Sequence, residues 1–474
     1  MNVRDFKVVH FVGIGGINMS AVAKLLLAAG VRVSGSDVAE NEQTKILAER
    51  GVAITIGHAA ENIPADAQVI VYTSAAPETN SERVEAKKRG LPEYTNFQFL
   101  GAWYESSQLI LIAGTHGKST TTAMAGVMFE AAGFDPTVIV GSKVPEFADG
   151  NLRIGGAQGV IIEGDEYAKH FLEFHPYCVV LTNVELDHTD IFPTIDDMEG
   201  AFVELISRMK PEGVVIANVD SPGVRRVLKK ANDNATKLNL QLVTFGMTSE
   251  DAHYHVSREM IDGKMLLVLK SKDDRWAAGF HMPGNHNLMN AAAAGVTLTC
   301  FPKANREAAG EALAQFRGIW RRFEYLGEKN GAKIFSDYGH HPTAVAATLE
   351  AAKEQFPQSR IVLCFQPHHR NRTKNLFLEF IPSFDLADVF VLCEIYDVAG
   401  RDASEDENVS SKDLLDAVVR HDADRSATRT TEYAANPGAA VEQTMKLVKE
   451  GDVVIFMGAG DIDAAVRRRM TSST

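Results

Sequence analysis

Short runs of branched apolar residues alternate with longer helix-length segments along most of the chain. Residues 7–12 form such a run, and it ends at Gly13-Ile14-Gly15-Gly16. A helix is predicted from about Met19 to Ala29, with Gly30 ending it and a second strand finishing near Ser36-Asp37. Further strands are predicted at 53–56 and 68–73. The run 109–112 (Leu-Ile-Leu-Ile) reads as a strand of a parallel sheet covered on both faces, followed by a helix over 121–132. The alternation continues with strands at 137–140, 159–162, 178–181 and 213–217. Residues 252–282 break it. Apolar stretches at 253–256, 265–269 and 276–281, with a turn at Asp262-Gly263, predict an antiparallel meander. An alanine-rich helix then opens at Asn285. A last alternating block carries strands at 332–336, 360–365, 388–395 and 452–457, and residues 402–408 read as a solvent-exposed acidic loop.

A length of 474 residues suits about three domains of ordinary size. The expected fold class is α/β in three domains. A Rossmann-like N-terminal domain spans 1–107. A central P-loop ATPase-type parallel sheet with a small antiparallel addition spans 108–317, and a Rossmann-like C-terminal domain spans 318–474. A formal charge of −14 argues against a nucleic-acid surface as the main business. The four cysteines are far apart and form no C-x-x-C pair; three of them lie in apolar runs, as small core residues do. No apolar run approaches the roughly 18 residues of a membrane span. The chain enters its first strand with no charged leader and cleavage site. The expectation is a cytoplasmic enzyme acting on small molecules, with no nucleic-acid or membrane partner, as a monomer or homodimer.

The chemistry concentrates at Gly114-Thr115-His116-Gly117-Lys118-Ser119-Thr120. A strand, a tight glycine loop and a helix N-terminus carrying a lysine present backbone N–H groups and a partial positive charge to phosphate. Lys118 then reaches the β/γ-phosphates and the Ser119 hydroxyl a Mg²⁺ ion. The loop is two residues shorter than the common G-x-x-x-x-G-K-[ST] pattern. Glu163, Asp165 and Glu166 follow another predicted strand, where open α/β sheets bind ligands, and Asn183 to His188 follow the next. Mg²⁺ wants oxygen ligands, which Ser119 and Glu163 supply. His188 is a less usual ligand, and a lone histidine is more often a hydrogen-bonded structural residue. The first β-α-β unit lacks the third glycine of a dinucleotide fingerprint, because position 18 is Asn. That disfavours a dehydrogenase and leaves a nucleotide-diphosphate site open.

Together these motifs resemble the Mur ligases, ATP-dependent amide-forming enzymes of peptidoglycan synthesis. The resemblance covers nearly the whole chain, from 9–20 through 114–120, 183–188, 284–290, 321–324 and 336–343 to Phe365-Gln-Pro-His368 with Arg372-Thr373. It implies a UDP-sugar site at Gly13, Gly15, Gly16, Asn18, Met19, Ser20, Asp37, Ser74, His116, Asn151 and Arg153. It implies ATP at residues 114–120 with Asn287, Asn290, Arg322 and Asp337, and Mg²⁺ on Ser119, Glu163 and His188. Lys118, His188 and His340 would be catalytic, and His368, Arg370 and Arg372 would hold the amino acid, with Arg372 the first candidate for its carboxylate.

The implied reaction joins L-alanine to the carboxylate of UDP-N-acetylmuramate through an acyl phosphate, with hinges near residue 107 and at 318–324 closing the site against water. The class that adds later residues carries a lysine roughly 15 positions after the metal histidine, and none occurs between His188 and Lys210. A ligase attaching a whole tripeptide to the same sugar nucleotide is the alternative within the family. Outside it stand a P-loop ATPase coupled to motion and a non-catalytic sugar-nucleotide sensor. Departures from the family pattern fall at Asn18, Ala168, His369-Arg370-Asn371 and Arg401.

Overall fold

The computed structural model describes residues 2–156, 159–397 and 409–471. The expected acidic loop at 402–408 and Arg401 lie outside them. The chain folds into two compact units: residues 1–184, 199–280 and 290–316, and residues 185–198, 281–289 and 317–474.

The first unit carries two sheets. One is a five-stranded parallel sheet in the order Ala53–Ile56, Arg32–Asp37, Val8–Val12, Val69–Tyr72, Glu93–Thr95. The chain winds to one side of Val8–Val12 and then to the other, so the order reverses beside that strand. Open α/β sheets bind ligands at such a switch point. The other sheet has ten strands, with Cys178–Leu181, Gln108–Ala113 and Gly159–Glu163 adjacent and parallel near its centre. The predicted meander forms its far edge. Tyr254–Ile261 pairs antiparallel with Lys264–Lys270, which pairs antiparallel with Arg275–Gly279. Asp262 and Gly263 turn the first hairpin with φ of 49° and 73°, the doubly positive geometry that an Asp-Gly pair favours.

The second unit is built on a six-stranded sheet, parallel except for the edge strand Glu324–Lys329. Its strand Ile361–Phe365 shows why a continuous apolar run is required. Ile361, Leu363 and Phe365 pack into the core on one face, and Val362 and Cys364 into the core on the other. Cys364 and Cys393 are buried among apolar side chains, and burial pushes both thiols up, that of Cys364 to about 12. They are inert packing residues.

The structure adds strands that apolar runs did not mark: Glu93–Thr95, Leu152–Arg153, Gln241–Gly246, Glu324–Lys329 and Thr430–Ala434. Four of these, all but Gln241–Gly246, are edge strands, where one side of the ladder faces solvent and polar residues are tolerated. Two helices begin earlier than their apolar patterns suggested. One runs Ile17–Ala28 and the other Lys118–Ala131, so Asn18 and Lys118 belong to first helical turns. Among the described residues no helix is long and apolar enough to cross a membrane.

Leu363 is fully buried in the second unit's core. Leu363→Ala should cost about 2–5 kcal/mol in denaturant unfolding, whereas a conservative Leu363→Ile should cost under about 1.5 kcal/mol.

Candidate functional site

The first glycine loop lies at the switch point of the five-stranded sheet. Gly13 has φ of 82°, and a Cβ there would come within 2.5 Å of Thr73 Cγ2. The loop is therefore pressed against the segment that carries the exposed Ser74. Asp37, at the end of the second strand, accepts the Gly15 N–H at 2.7 Å and so shapes the loop. Gly16 caps the helix Ile17–Ala28 without a side-chain cap, with Asn18 half-buried and Met19 and Ser20 buried in the first turn. Asn151 donates to Ile17 O and to Ser20 Oγ (3.3 Å), so it joins this loop as expected. The buried Lys24 fixes it from behind, donating to Asn151 Oδ1 and Gln43 Oε1 at 2.9 Å and to Asp149 O at 3.1 Å. Arg153 is elsewhere. It pairs with Glu130 at 2.7 Å and Asp135 at 2.6 Å, by the C-terminal end of the helix Lys118–Ala131, about 20 Å along that helix from its glycine loop.

The second glycine loop follows Gln108–Ala113. Gly114 has φ of 142° and Gly117 of 81°. A Cβ would fall 2.1 Å from Thr182 Oγ1 at Gly114 and 2.2 Å from Asn290 Oδ1 at Gly117, so conformation and space both demand glycine. The end of the neighbouring strand clamps the loop. His116 N–H donates to Asn183 Oδ1 (2.8 Å), and His116 O accepts from Thr182 Oγ1 (2.7 Å) and Asn183 Nδ2 (3.0 Å). Thr115 N–H donates to Asn183 O at 3.1 Å. Asn290 accepts from Thr121 Oγ1 at 3.3 Å, and Thr115 and Thr120 are buried. Gly117 caps the helix with no side-chain cap hydrogen bond. An anion at that end would meet the amides and the dipole together.

Lys118 Nζ contacts Gly114 O, Thr115 O and the Glu166 carboxylate. Burial opposes its charge, but Glu166, Glu163 and Asp165 outweigh burial and hold it above the usual lysine value. Burial pushes the Glu166 carboxyl up, while Lys118 beside it favours its charged form. Ser119 Oγ donates to Glu163 Oε1 at 2.7 Å, while Gly141 N–H holds Glu163 Oε2 at 2.6 Å. The hydroxyl and carboxylate are thus one hard-oxygen pair fixed from behind, a donor set that fits Mg²⁺.

In the second unit His188, with φ of 50°, follows the buried Asp187. Asp187 pairs with Arg372 through Nε (2.8 Å) and a second guanidinium nitrogen (2.7 Å). Burial would raise the Asp187 carboxyl; Arg372, followed by His188, His340 and His341, holds it well below the usual carboxylate range. Arg372 is 5% exposed and also reaches His368 Nδ1 and O at 3.3 Å. His368 stacks on Tyr396 and lies 5.7 Å, ring to ring, from His340, whose protonation burial and Arg372 suppress. Arg370 is half-buried, donating to Asp397 (3.0 Å) and Val409 O (2.8 Å). The structure therefore brings His340, His368, Arg372 and Asp187 together. It spends Arg372 on an internal ion pair and leaves Arg370 the more accessible guanidinium. Asp337 accepts the N–H groups of Phe323 and Gly339 at 2.7 Å, and Arg322 lies over the Tyr338 ring. Asn287 folds its amide onto Pro283 O at 2.8 Å.

Sequence reasoning set Glu166 in a carboxylate cluster beyond a strand end but did not pair it with Lys118, and it missed Thr182 and Lys24 as site-shaping residues. Only the position of Thr182 just beyond a strand end marked it.

Fold and loops define a three-sheet α/β protein built around a strand–glycine loop–helix unit. Family models match it in three stretches: "Mur ligase family, catalytic domain" over residues 8–107, "Mur ligase middle domain" over 112–298 and "Mur ligase, glutamate ligase domain" over 321–460. A UDP-N-acetylmuramate–L-alanine ligase of Alkaliphilus metalliredigens is 34% identical over 465 residues, 98% of this chain and 96% of that protein. One of Geobacter sulfurreducens is 35% identical over 461 residues, 96% of this chain and 95% of the relative. The crystal structure of the UDP-N-acetylmuramate–alanine ligase of Thermotoga maritima matches with a TM-score of 0.78 at 28% identity, covering 98% of this chain and 99% of that one. A murein peptide ligase of Psychrobacter arcticus shares the fold, with a TM-score of 0.70 at 22% identity over 98% of each chain. The chain belongs to the Mur ligase family.

Breaking the Asp187–Arg372 pair from one side leaves a buried charge. Asp187→Ala and Arg372→Ala should each cost about 3–5 kcal/mol of stability, and the double variant should recover part of that loss in a double-mutant cycle.

Proposed function

We propose that the chain is an ATP-dependent ligase that joins L-alanine to the carboxylate of UDP-N-acetylmuramate, in the cytoplasm, as a step of peptidoglycan precursor synthesis. The geometry that carries the reading is the Lys118–Ser119–Glu163 arrangement on the second glycine loop, where a cation and a hard-oxygen pair sit at a helix N-terminus. The printed names of relatives that match the chain from end to end support the choice of substrates.

In this reading residues 1–107 form the UDP-sugar-binding domain, 108–317 the ATP-binding domain and 318–474 the amino-acid-binding domain. The diphosphate lies on Gly13, Gly15 and Gly16 at the N-terminus of the helix Ile17–Ala28, with Asn151 bracing that turn. The ATP phosphates lie on residues 114–120. Mg²⁺, when bound, neutralises phosphate charge, and Ser119, Glu163 and His188 would hold it. The muramate carboxylate attacks the γ-phosphorus, ADP leaves, and an acyl phosphate forms. Lys118 stabilises the charge that spreads over the transferred group. The amine of alanine then attacks the acyl carbon, its proton is lost, and the C–O bond to phosphate breaks. His340 is kept neutral by burial and Arg372, which suits it to accept that proton. Arg370, rather than the buried Arg372, receives the amino acid's carboxylate.

ADP release measured with UDP-N-acetylmuramate, ATP, Mg²⁺ and each acceptor tests the assignment. Turnover should require the sugar nucleotide and L-alanine. A preference for L-alanyl-γ-D-glutamyl-diaminopimelate would make it a tripeptide ligase, and ADP release with no sugar nucleotide would make it an ATPase. Lys118→Ala should lower kcat by about 100-fold or more, the usual cost of one preorganised donor. Arg370→Ala should raise the KM for alanine far more than that for ATP.

A further inference from the structure

Lys118 carries three N–H bonds, and protein acceptors around it meet all three. Nζ lies 2.6 Å from Gly114 O, 3.0 Å from Thr115 O, and 2.9 and 2.7 Å from the two Glu166 oxygens. The carbonyls belong to the loop itself. Glu166 does not: it is 2% exposed and comes from the segment beyond the strand Gly159–Glu163.

The backbone that delivers Glu166 is strained and braced. Ala168 and Lys169, consecutive residues with side chains, sit at φ of 48° and 59°, a region such residues rarely occupy in pairs. Asp165 ties the segment down, accepting the Tyr167 N–H at 3.1 Å and meeting His170 Nδ1 at 3.1 Å, and the His170 ring stacks on Phe97 at 4.4 Å. Strain of this kind persists only where the surroundings over-determine it, so the carboxylate is held at the lysine and did not drift there.

A phosphate arriving at the loop needs that same ammonium. On the reading of residues 114–120 as a phosphate loop, we propose that Glu166 is a resident anion that competes with the nucleotide: it pairs with Lys118 and yields it to the β/γ-phosphates when they bind. One carboxylate is a weak rival to a polyphosphate with several charges and an adenosine to anchor it, but a strong rival to a single inorganic phosphate. Glu166 therefore sets a threshold that favours nucleotide over free phosphate, which the reaction itself releases.

Calorimetric titration of Mg-ADP and of inorganic phosphate into the full chain tests this, using wild type, Glu166→Gln and Glu166→Asp. Glu166→Gln keeps the shape and removes the charge. It should bind ADP at least about tenfold more tightly, the weight of one charge-assisted hydrogen bond, and should gain measurable phosphate binding. Glu166→Asp, one methylene short of Lys118, should fall between, and it decides the matter if the glutamine variant does not fold. Adding Lys118→Met to Glu166→Gln should erase the gain, which a merely structural role for Glu166 would not predict. If wild type binds ADP and neither variant binds it more tightly, Glu166 supports the lysine and the competitor proposal is overturned while the phosphate loop stands. If wild type binds no nucleotide, the phosphate-loop reading fails, and this one with it.

Discussion

The register between neighbouring parallel strands is the constraint on which the phosphate loop depends. Leu181 pairs with Ala113, and Glu163 with Ile112, so three central strands finish level with one another. What each chain does next then falls in one place. Gln108–Ala113 releases the glycine loop, Cys178–Leu181 releases Thr182 and Asn183 to clamp it, and Gly159–Glu163 releases the carboxylates that meet Lys118 and Ser119. A shift of one residue in any of these strands would swap its side chains between the two covered faces of the sheet and carry its last residues out of reach. The apolar runs of the central strands are thus what fixes polar geometry a few residues later.

Much of this was legible in the residues. The central parallel strands, the meander and both glycine loops follow from apolar runs bounded by glycine, because a strand covered on both faces has no freedom to be polar. Ser119 and Glu163 were paired from the oxygen chemistry of a hard cation, and the structure sets them 2.7 Å apart. Edge strands such as Thr430–Ala434 were not legible, since half-exposed positions impose no apolar signal. Helix starts were misjudged by two or three residues, because both N-caps are glycines with no side-chain capping bond, so no Ser, Thr or Asp marks the first turn.

Arg372 shows a different limit. Its place in a Phe-Gln-Pro-His-containing motif suggested a guanidinium waiting for a carboxylate from outside. The structure supplies that carboxylate from within, as Asp187, a residue 185 positions earlier. Sequence reports which residue types a stretch contains, and pairing over such a separation is decided only by the fold. Lys24 repeats the point: a lysine in the third turn of a helix reads as a solvated face, yet it is buried and bonded to residues more than 120 positions away. In both cases the charge is stabilised by acceptors that only tertiary structure assembles.

Activation of a carboxylate by phosphoryl transfer is the claim that separates a ligase from an ATPase on this loop. It makes a specific demand on atoms: the oxygen that links carbon to phosphorus in the acyl phosphate comes from the muramate carboxylate and departs with the phosphate. The most direct measurement uses UDP-N-acetylmuramate labelled with ¹⁸O in its carboxylate and follows the released inorganic phosphate by mass spectrometry. The account predicts one ¹⁸O atom in each phosphate formed during amide synthesis. Unlabelled phosphate would mean that water, not the carboxylate, attacks the γ-phosphorus, and would contradict it.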